Sequence, residues 1–249
     1  MIIQHIGHAE FLIETENGMR IVTDPYDGNC GYPDRRLKAD AALVSHSHND
    51  HNAVETLEGL RTVVDREGEY TLAAGVKVTA VKGYHDDVQG RERGETLLFL
   101  LETEGLRLVH LGDLGCMPDR EQAELLKRPD ILMIPVGGFY TIDGKTARKT
   151  ADMLGARTVL PMHYKTRYIA EWPISGPEDF LEGIPEKEIR RDILFAARIQ
   201  KYKYCLVVEK VSSVDRRKHI SIGIAESFII PYRHNNSPVI KRNPVNTGP

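Results

Sequence analysis

The chain has 249 residues, 41% hydrophobic and 28% charged, with a formal net charge of -3. That length suits one well-buried sandwich or barrel domain and is short for two. The near-neutral charge gives no electrostatic reason to expect nucleic-acid binding and no polybasic membrane signal. Three scattered cysteines, Cys30, Cys116 and Cys205, build no disulfide framework, which points to a reducing cytoplasm.

Taken in order, the chain opens on MIIQHIGHAEFLIE, which lacks the basic and apolar regions of a signal peptide. No apolar run approaches the ~20 residues of a membrane-spanning helix. Phe11 to Glu14 and Arg20 to Thr23 flank Glu16-Asn17-Gly18 and predict a β-hairpin. Thr23-Asp24-Pro25 ends the second of these strands. Ala41 to Ser45 predicts a buried strand that runs into a histidine-rich segment. Val63-Val64, Val76 to Val81 and Thr96 to Leu101 continue the strand pattern. Thr103-Glu104-Gly105 turns into a further strand over Leu106 to Leu111.

Helices follow. Asp119 to Lys127 starts after a proline with an acidic first turn, and Lys145 to Leu154 has small and apolar residues at helical spacing. Short apolar strands over Ile131 to Val136 and Thr158 to Met162 alternate with them. Strands first, then helix and strand in alternation, predict two sheets covered by helices, in the α+β class. From Lys210 the composition turns to Asn, Pro and Arg without a period. That divides the chain into a domain at 1-209 and a tail at 210-249, poorly ordered or loosely docked, with Ile220 to Ile230 apolar enough for an added strand.

The chemistry is concentrated in Ser45-His46-Ser47-His48-Asn49-Asp50-His51-Asn52. Three imidazoles and a carboxylate in six residues form a ligand set for zinc or a similar divalent cation. His46 and His48 are two apart, so on extended backbone they face the same way, while Asp50 and His51 can turn toward a second ion. Further ligands should end other strands: His85 after Lys82-Gly83-Tyr84, Asp113 after Leu111-Gly112, and His163 after Pro161-Met162.

This order of HxHxDH, a His, a Gly-Asp and a late His resembles the metallo-β-lactamase superfamily. Gly7-His8-Ala9, Thr23-Asp24-Pro25, Gly90-Arg91-Glu92-Arg93-Gly94, Pro135-Val136-Gly137-Gly138 and Pro161-Met162-His163-Tyr164-Lys165 are similar to its compact branch related to ascorbate-6-phosphate lactonase. The resemblance covers residues 1 to 209 and implies a four-layer αββα sandwich with the site on one edge. It implies that His46, His48 and His85 hold one ion, that Asp50, His51 and His163 hold another, and that Asp113 bridges them. Zinc is the first expectation for both; manganese and iron tolerate the same donors.

The expected activity is hydrolysis, with a metal-bound hydroxide attacking an ester, lactone or phosphoester of a small, anionic metabolite. Asp50 and Asp113 are the expected catalytic carboxylates. Two other readings stand beside it: a phosphodiesterase acting on nucleotides or short nucleic acid, and a non-catalytic metal-binding protein on the same fold. Tyr140, Arg91, Arg93 and Lys165 are candidate substrate contacts, and Thr141 and Arg167 lie beside them. Asp24 and His8 are candidates for orienting the ligands. Each also has a structural reading: solvated loop charge for the basic residues, packing for Tyr140 and Thr141, an Asp-Pro turn for Asp24, a core histidine for His8. Cys116 reads as a small buried residue. The partner expected is a small molecule rather than membrane or nucleic acid, and self-association into a homo-oligomer is left open.

Overall fold

Alternation along each strand decides which layer its side chains enter. The computed structural model of the chain describes residues 1–183 and 194–195. The strands, in chain order, are β1 (Ile2–Gly7), β2 (Glu10–Glu14), β3 (Arg20–Thr23), β4 (Leu37–Lys38), β5 (Ala41–Leu43), β6 (Leu57–Glu58) and β7 (Thr62–Val64). They continue as β8 (Gly68–Thr71), β9 (Lys77–Tyr84), β10 (Glu95–Thr103), β11 (Leu106–His110), β12 (Ile131–Pro135), β13 (Thr158–Met162) and β14 (Leu194–Phe195). Three helices, α1 (Arg120–Leu126), α2 (Gly144–Leu154) and α3 (Glu178–Leu181), complete the described set.

Two six-stranded sheets form, in the orders β14-β1-β2-β3-β5-β7 and β13-β12-β11-β10-β9-β8. Their inner faces meet in one core. Phe11 and Ile13 of β2, Ile21 of β3 and Leu43 of β5 pack there with Phe99 and Leu101 of β10 and Met133 of β12. Residues one step out of phase leave that core. Leu98, Leu100, Leu132 and Ile134 pack instead under Leu126 of α1, Ala147, Ala151 and Leu154 of α2, and Phe180 and Leu181 of α3. The other outer face, with Val22 and Ala42, is covered by Leu37 and Leu57 of the small β4-β6 sheet. The α+β sandwich expected from the sequence is the architecture observed, with its described helices on the second sheet.

The ends of the predicted elements shift by a residue or two. Asp119 sits outside α1 as its N-cap, with a capping box to Gln122, because its carboxylate takes the first free backbone N–H groups. The hairpin of β2 and β3 forms in register Glu14↔Arg20 to Phe11↔Thr23. Strand β1, which the sequence reading did not assign, pairs antiparallel with β2. The proposed tail at 210–249 and Cys205 lie outside the described residues. No described helix is long and apolar enough to cross a membrane.

Strand direction then sets the position of the site. Strands β1 and β3 both run antiparallel to β2, and β3 and β5 are parallel. Both β9 and β11 run antiparallel to β10, and β11, β12 and β13 are parallel. Within each sheet, therefore, these strands end at the same edge. The residues following them are His8, Asp24, His46 to His51, His85, Asp113, Gly137 to Tyr140, and His163.

Candidate metal centre

At that edge the imidazoles converge on one carboxylate. Asp113 Oδ2 lies 3.1 Å from His163 Nε2, 3.3 Å from His51 Nε2, 3.3 Å from His85 Nε2 and 3.9 Å from His46 Nε2. His46 Nε2 and His48 Nδ1 are 3.0 Å apart. Donor atoms fall into three overlapping groups: His46, His48 and His85; His8, Asp50, His51 and His163; and His46, His51 and Asp113. All seven candidate ligands are thus brought into one place, and the group containing Asp113 spans the other two.

The surrounding hydrogen bonds fix which ring atom faces inward. Asp24 is fully buried and accepts from Ser45 N at 2.7 Å and Ser45 Oγ at 2.8 Å. Its Oδ2 is also 3.0 Å from His51 Nδ1. A carboxylate accepts only, so His51 donates from Nδ1 and turns the Nε2 lone pair toward Asp113 and Asp50. The Ser45 hydroxyl proton is committed to Asp24. His46 Nδ1, 2.9 Å from Ser45 Oγ, therefore donates to it, which frees Nε2. Asp24 is at once the Asp-Pro turn and the residue that orients His51.

His8 is 2% exposed, and its Nε2 lies 3.1 Å from Asp50 Oδ2. Its carbonyl accepts from the backbone N–H of His163 and from His5 Nε2. His8, Asp24 and His163 all have positive φ, at 52°, 39° and 50°. Such backbone costs ~1–3 kcal/mol per residue and collects at functional sites. Two glycines admit the crowding. A Cβ on Gly137 would lie 2.2 Å from the His163 carbonyl, and one on Gly115 would lie 2.2 Å from the Asp86 nitrogen.

The electrostatics suit cations. Burial pushes His46 down to about 3 and His8 to about 4, and lowers His85 as well, so these rings are neutral, the form that ligates. Burial would depress His51 too, but Asp113, Asp50 and Asp24 together hold it well above its ordinary value. Burial would raise Asp113 and Asp50, yet His163 and His51 hold the first well below the usual carboxylate range, and His51 and His8 lower the second. Buried carboxylates that attract a proton to His51 attract a divalent cation by the same field. His51 Nε2 and Asp113 Oδ1 are buried with no hydrogen bond among the described residues. Unpartnered buried nitrogen and oxygen atoms of this kind are the donor set that suits a divalent cation.

A cavity of about 300 Å³ opens over the cluster, lined by His48, Asp50, His85, Arg93, Asp113, Tyr140, His163 and Trp172. Of the candidate substrate contacts, Arg93 and Tyr140 line it. Arg91 does not; it is exposed and its Nε donates to the Val88 carbonyl at 3.0 Å. Lys165 and Arg167 are exposed outside the lining, and Arg167 stacks on Tyr168. Thr141 is buried, with its hydroxyl on the Ile142 carbonyl. Cys116, expected to be buried, is half-buried because it lies on the loop beyond Asp113 rather than in a strand.

Sequence reasoning missed three contributors. Ser45 stood next to the histidine cluster and was taken as the strand's last residue. Asp86, next to His85, accepts four backbone N–H bonds from the loop that carries Arg93. Trp172 is the one tryptophan of the chain, nine residues after His163, and that rarity was the available signal.

Comparison with known proteins points the same way. Residues 2–163 match the family model described as a beta-lactamase superfamily domain. A solved Thermotoga maritima structure, described as a Zn-dependent hydrolase of the metallo-β-lactamase superfamily, is 37% identical. It aligns with a TM-score of 0.70 over 84% of this chain and 98% of its own. A UPF0173 metal-dependent hydrolase of Archaeoglobus fulgidus is 28% identical over 234 residues, covering 82% of this chain and 99% of that protein. Its Thermococcus onnurineus counterpart is 30% identical over 215 residues, covering 74% and 92%.

Proposed function

This chain belongs to the metallo-β-lactamase superfamily as a metal-dependent hydrolase, and from that premise we propose that it holds two divalent cations and cleaves an ester, lactone or phosphoester of a small metabolite. The observation that carries the reading is the convergence of four imidazole Nε2 atoms within 3.9 Å of one Asp113 oxygen. His46, His48 and His85 would hold one cation, and Asp50, His51 and His163 the other. Asp113 would be shared, and zinc is the first candidate for both positions.

When bound, such cations polarise the scissile group and bring the pKa of water from 15.7 toward ~7. The protein's own residues do the rest. Asp24 and Ser45 hold the rings of His51 and His46 with their lone pairs inward. Asp50, 3.1 Å from His8 Nε2 and 3.5 Å from His51 Nε2, can act as the hydrogen-bond acceptor that orients the attacking oxygen. Tyr140 lines the cavity, where its phenol would donate to the oxygen that gains charge. Trp172 walls the cavity against bulk water. Two divalent cations bring about four positive charges against two carboxylates, and the surplus favours an anionic substrate.

The test joins metal content to a substrate panel. Asp113→Ala should lose one or both cations by elemental analysis and lose hydrolysis of every ester, lactone and phosphodiester that the parent cleaves. Full turnover by that variant with a single tight metal would defeat the two-cation reading. Cleavage of bis-nitrophenyl phosphate but of no lactone would select the phosphodiesterase. Two bound metals with no hydrolysis at all would select a non-catalytic protein.

A further inference from the structure

Loop geometry separates two arginines that the sequence could not. Resting on the hydrolase reading above, we infer that Arg93 is the specificity residue: its guanidinium takes a carboxylate or phosphate that the substrate carries away from the scissile bond. Phe139, Tyr140 and Trp172 receive the apolar, flat portion beside it.

Among the described residues, Arg93 is the one lysine or arginine lining the cavity. Its position is fixed relative to the candidate ligand His85. The carboxylate of Asp86 accepts the backbone N–H groups of Val88, Gly90, Glu92 and Arg93 at 2.7 to 2.9 Å. The His85 N–H closes the same loop on the Gly94 carbonyl at 3.1 Å. A backbone tied at five points cannot swing the side chain away cheaply. The guanidinium carbon then sits 5.8 Å from the Tyr140 ring centre and 6.0 Å from that of Phe139, within cation–π range. Contact with ring faces leaves the planar edge of N–H donors for a carboxylate or phosphate, which such an edge binds in pairs. Its carboxylate neighbour, Glu92, is 3.6 Å away and 65% exposed, and an exposed pair of that kind competes weakly with a substrate.

Phe139 supplies the second observation. It is 62% exposed and has a φ of 58°. A bulky residue in that backbone region is strained, and its exposed ring gains nothing from burial. A ligand that covers the ring recovers the second of these costs. Tyr140 packs edge-on against it at 4.8 Å, and Trp172 packs edge-on against Tyr140 at 6.1 Å, which continues the aromatic surface into the cavity. About 300 Å³ is the low end of small-molecule cavities and suits a single-ring metabolite.

The experiment uses the zinc-loaded protein and two esters of equal length, 4-nitrophenyl hemisuccinate and 4-nitrophenyl butyrate. The parent should prefer the charged ester about tenfold or more in kcat/KM. Arg93→Ala should bring the kcat/KM ratio of hemisuccinate to butyrate down to about one, through the KM of the hemisuccinate, and Arg93→Lys should partly restore the ratio. An equal loss on both esters, or no preference in the parent, overturns the assignment. Binding of phenylphosphonate and methylphosphonate, followed by calorimetry, decides without turnover. Arg93→Ala should weaken both about tenfold, and Phe139→Ala should weaken phenylphosphonate alone. Unchanged affinity in Arg93→Ala, or no binding to the parent, overturns it as well. If neither ester is cleaved while both binding effects appear, it is the hydrolase reading that fails and the anion subsite that stands.

Discussion

The ring of His51 is the best-determined side chain of the site. It is fully buried, with Asp24 3.0 Å from Nδ1 and Asp113 3.3 Å from Nε2. One carboxylate fixes the tautomer and the other shares the space that a cation would enter. Asp24→Asn keeps an oxygen for the Ser45 N–H but turns an amide N–H₂ toward the His51 donor. That variant should bind metal ~10–100-fold more weakly, as measured by competition with a chelating dye, while its circular dichroism stays that of the parent. Parental affinity in Asp24→Asn would remove the orienting role. His8 acts on the same scale. It is presented by a strained turn to Asp50, 42 positions away in sequence, and its neutral ring can donate from Nε2 to the carboxylate.

Among the elements, the strand ends carry the candidate ligands and the helices hold the second sheet's outer face. Helix α2 begins at Asp143, whose carboxylate accepts the Thr146 N–H at 2.7 Å and pairs its backbone with Gly137. That bond to Thr146 is the main reason its pKa lies below the ordinary value. A depressed folded-state pKa means that the stabilisation is complete above the unfolded value of ~3.9 and is lost as pH falls through the folded one. Asp143→Ala should therefore cost about 1 kcal/mol in urea unfolding at pH 7. The gap between variant and parent should close on acidification below pH ~4. A gap that stays constant to low pH would show that the cap does not act through its charge.

At the scale of the molecule, the site joins the two sheets. Asp24, His46 and His51 follow strands of the first, and His85, Asp113 and His163 follow strands of the second. A cation held across that junction binds the folded chain and not the unfolded one, so its binding free energy adds to stability. At a hundredfold excess over Kd the gain is ~2.7 kcal/mol. For a chain of this size that is about 5–10 °C in Tm. Chelation should lower Tm by about that amount for each cation released, and returning zinc should restore it with two equivalents per chain. Metal removal that leaves Tm unchanged would place the cations outside the junction.

The sequence by itself determined whatever lies within a few residues of its own cause. The HxHxDH run follows a buried strand, so three imidazoles and Asp50 were legible together. Short apolar runs between turn signals marked the hairpin, β10 and β12, and the order of the later His, Asp and His carried the family resemblance. Strand β1 was not legible, because Ile2 to Gly7 interleaves Gln4, His5 and Gly7 with its apolar residues. The tertiary structure alone decided what depends on direction and distance. Arg91 and Arg93 are nearly the same signal in sequence, but the loop tied down by Asp86 sends one to solvent and the other to the cavity. His8, Tyr140 and Trp172 come from three separate segments and are brought together because parallel strands end on one edge. Hydrophobic period and local propensity encode which elements form; the joint position of remote side chains is fixed only when two packed sheets set the directions of all of them at once.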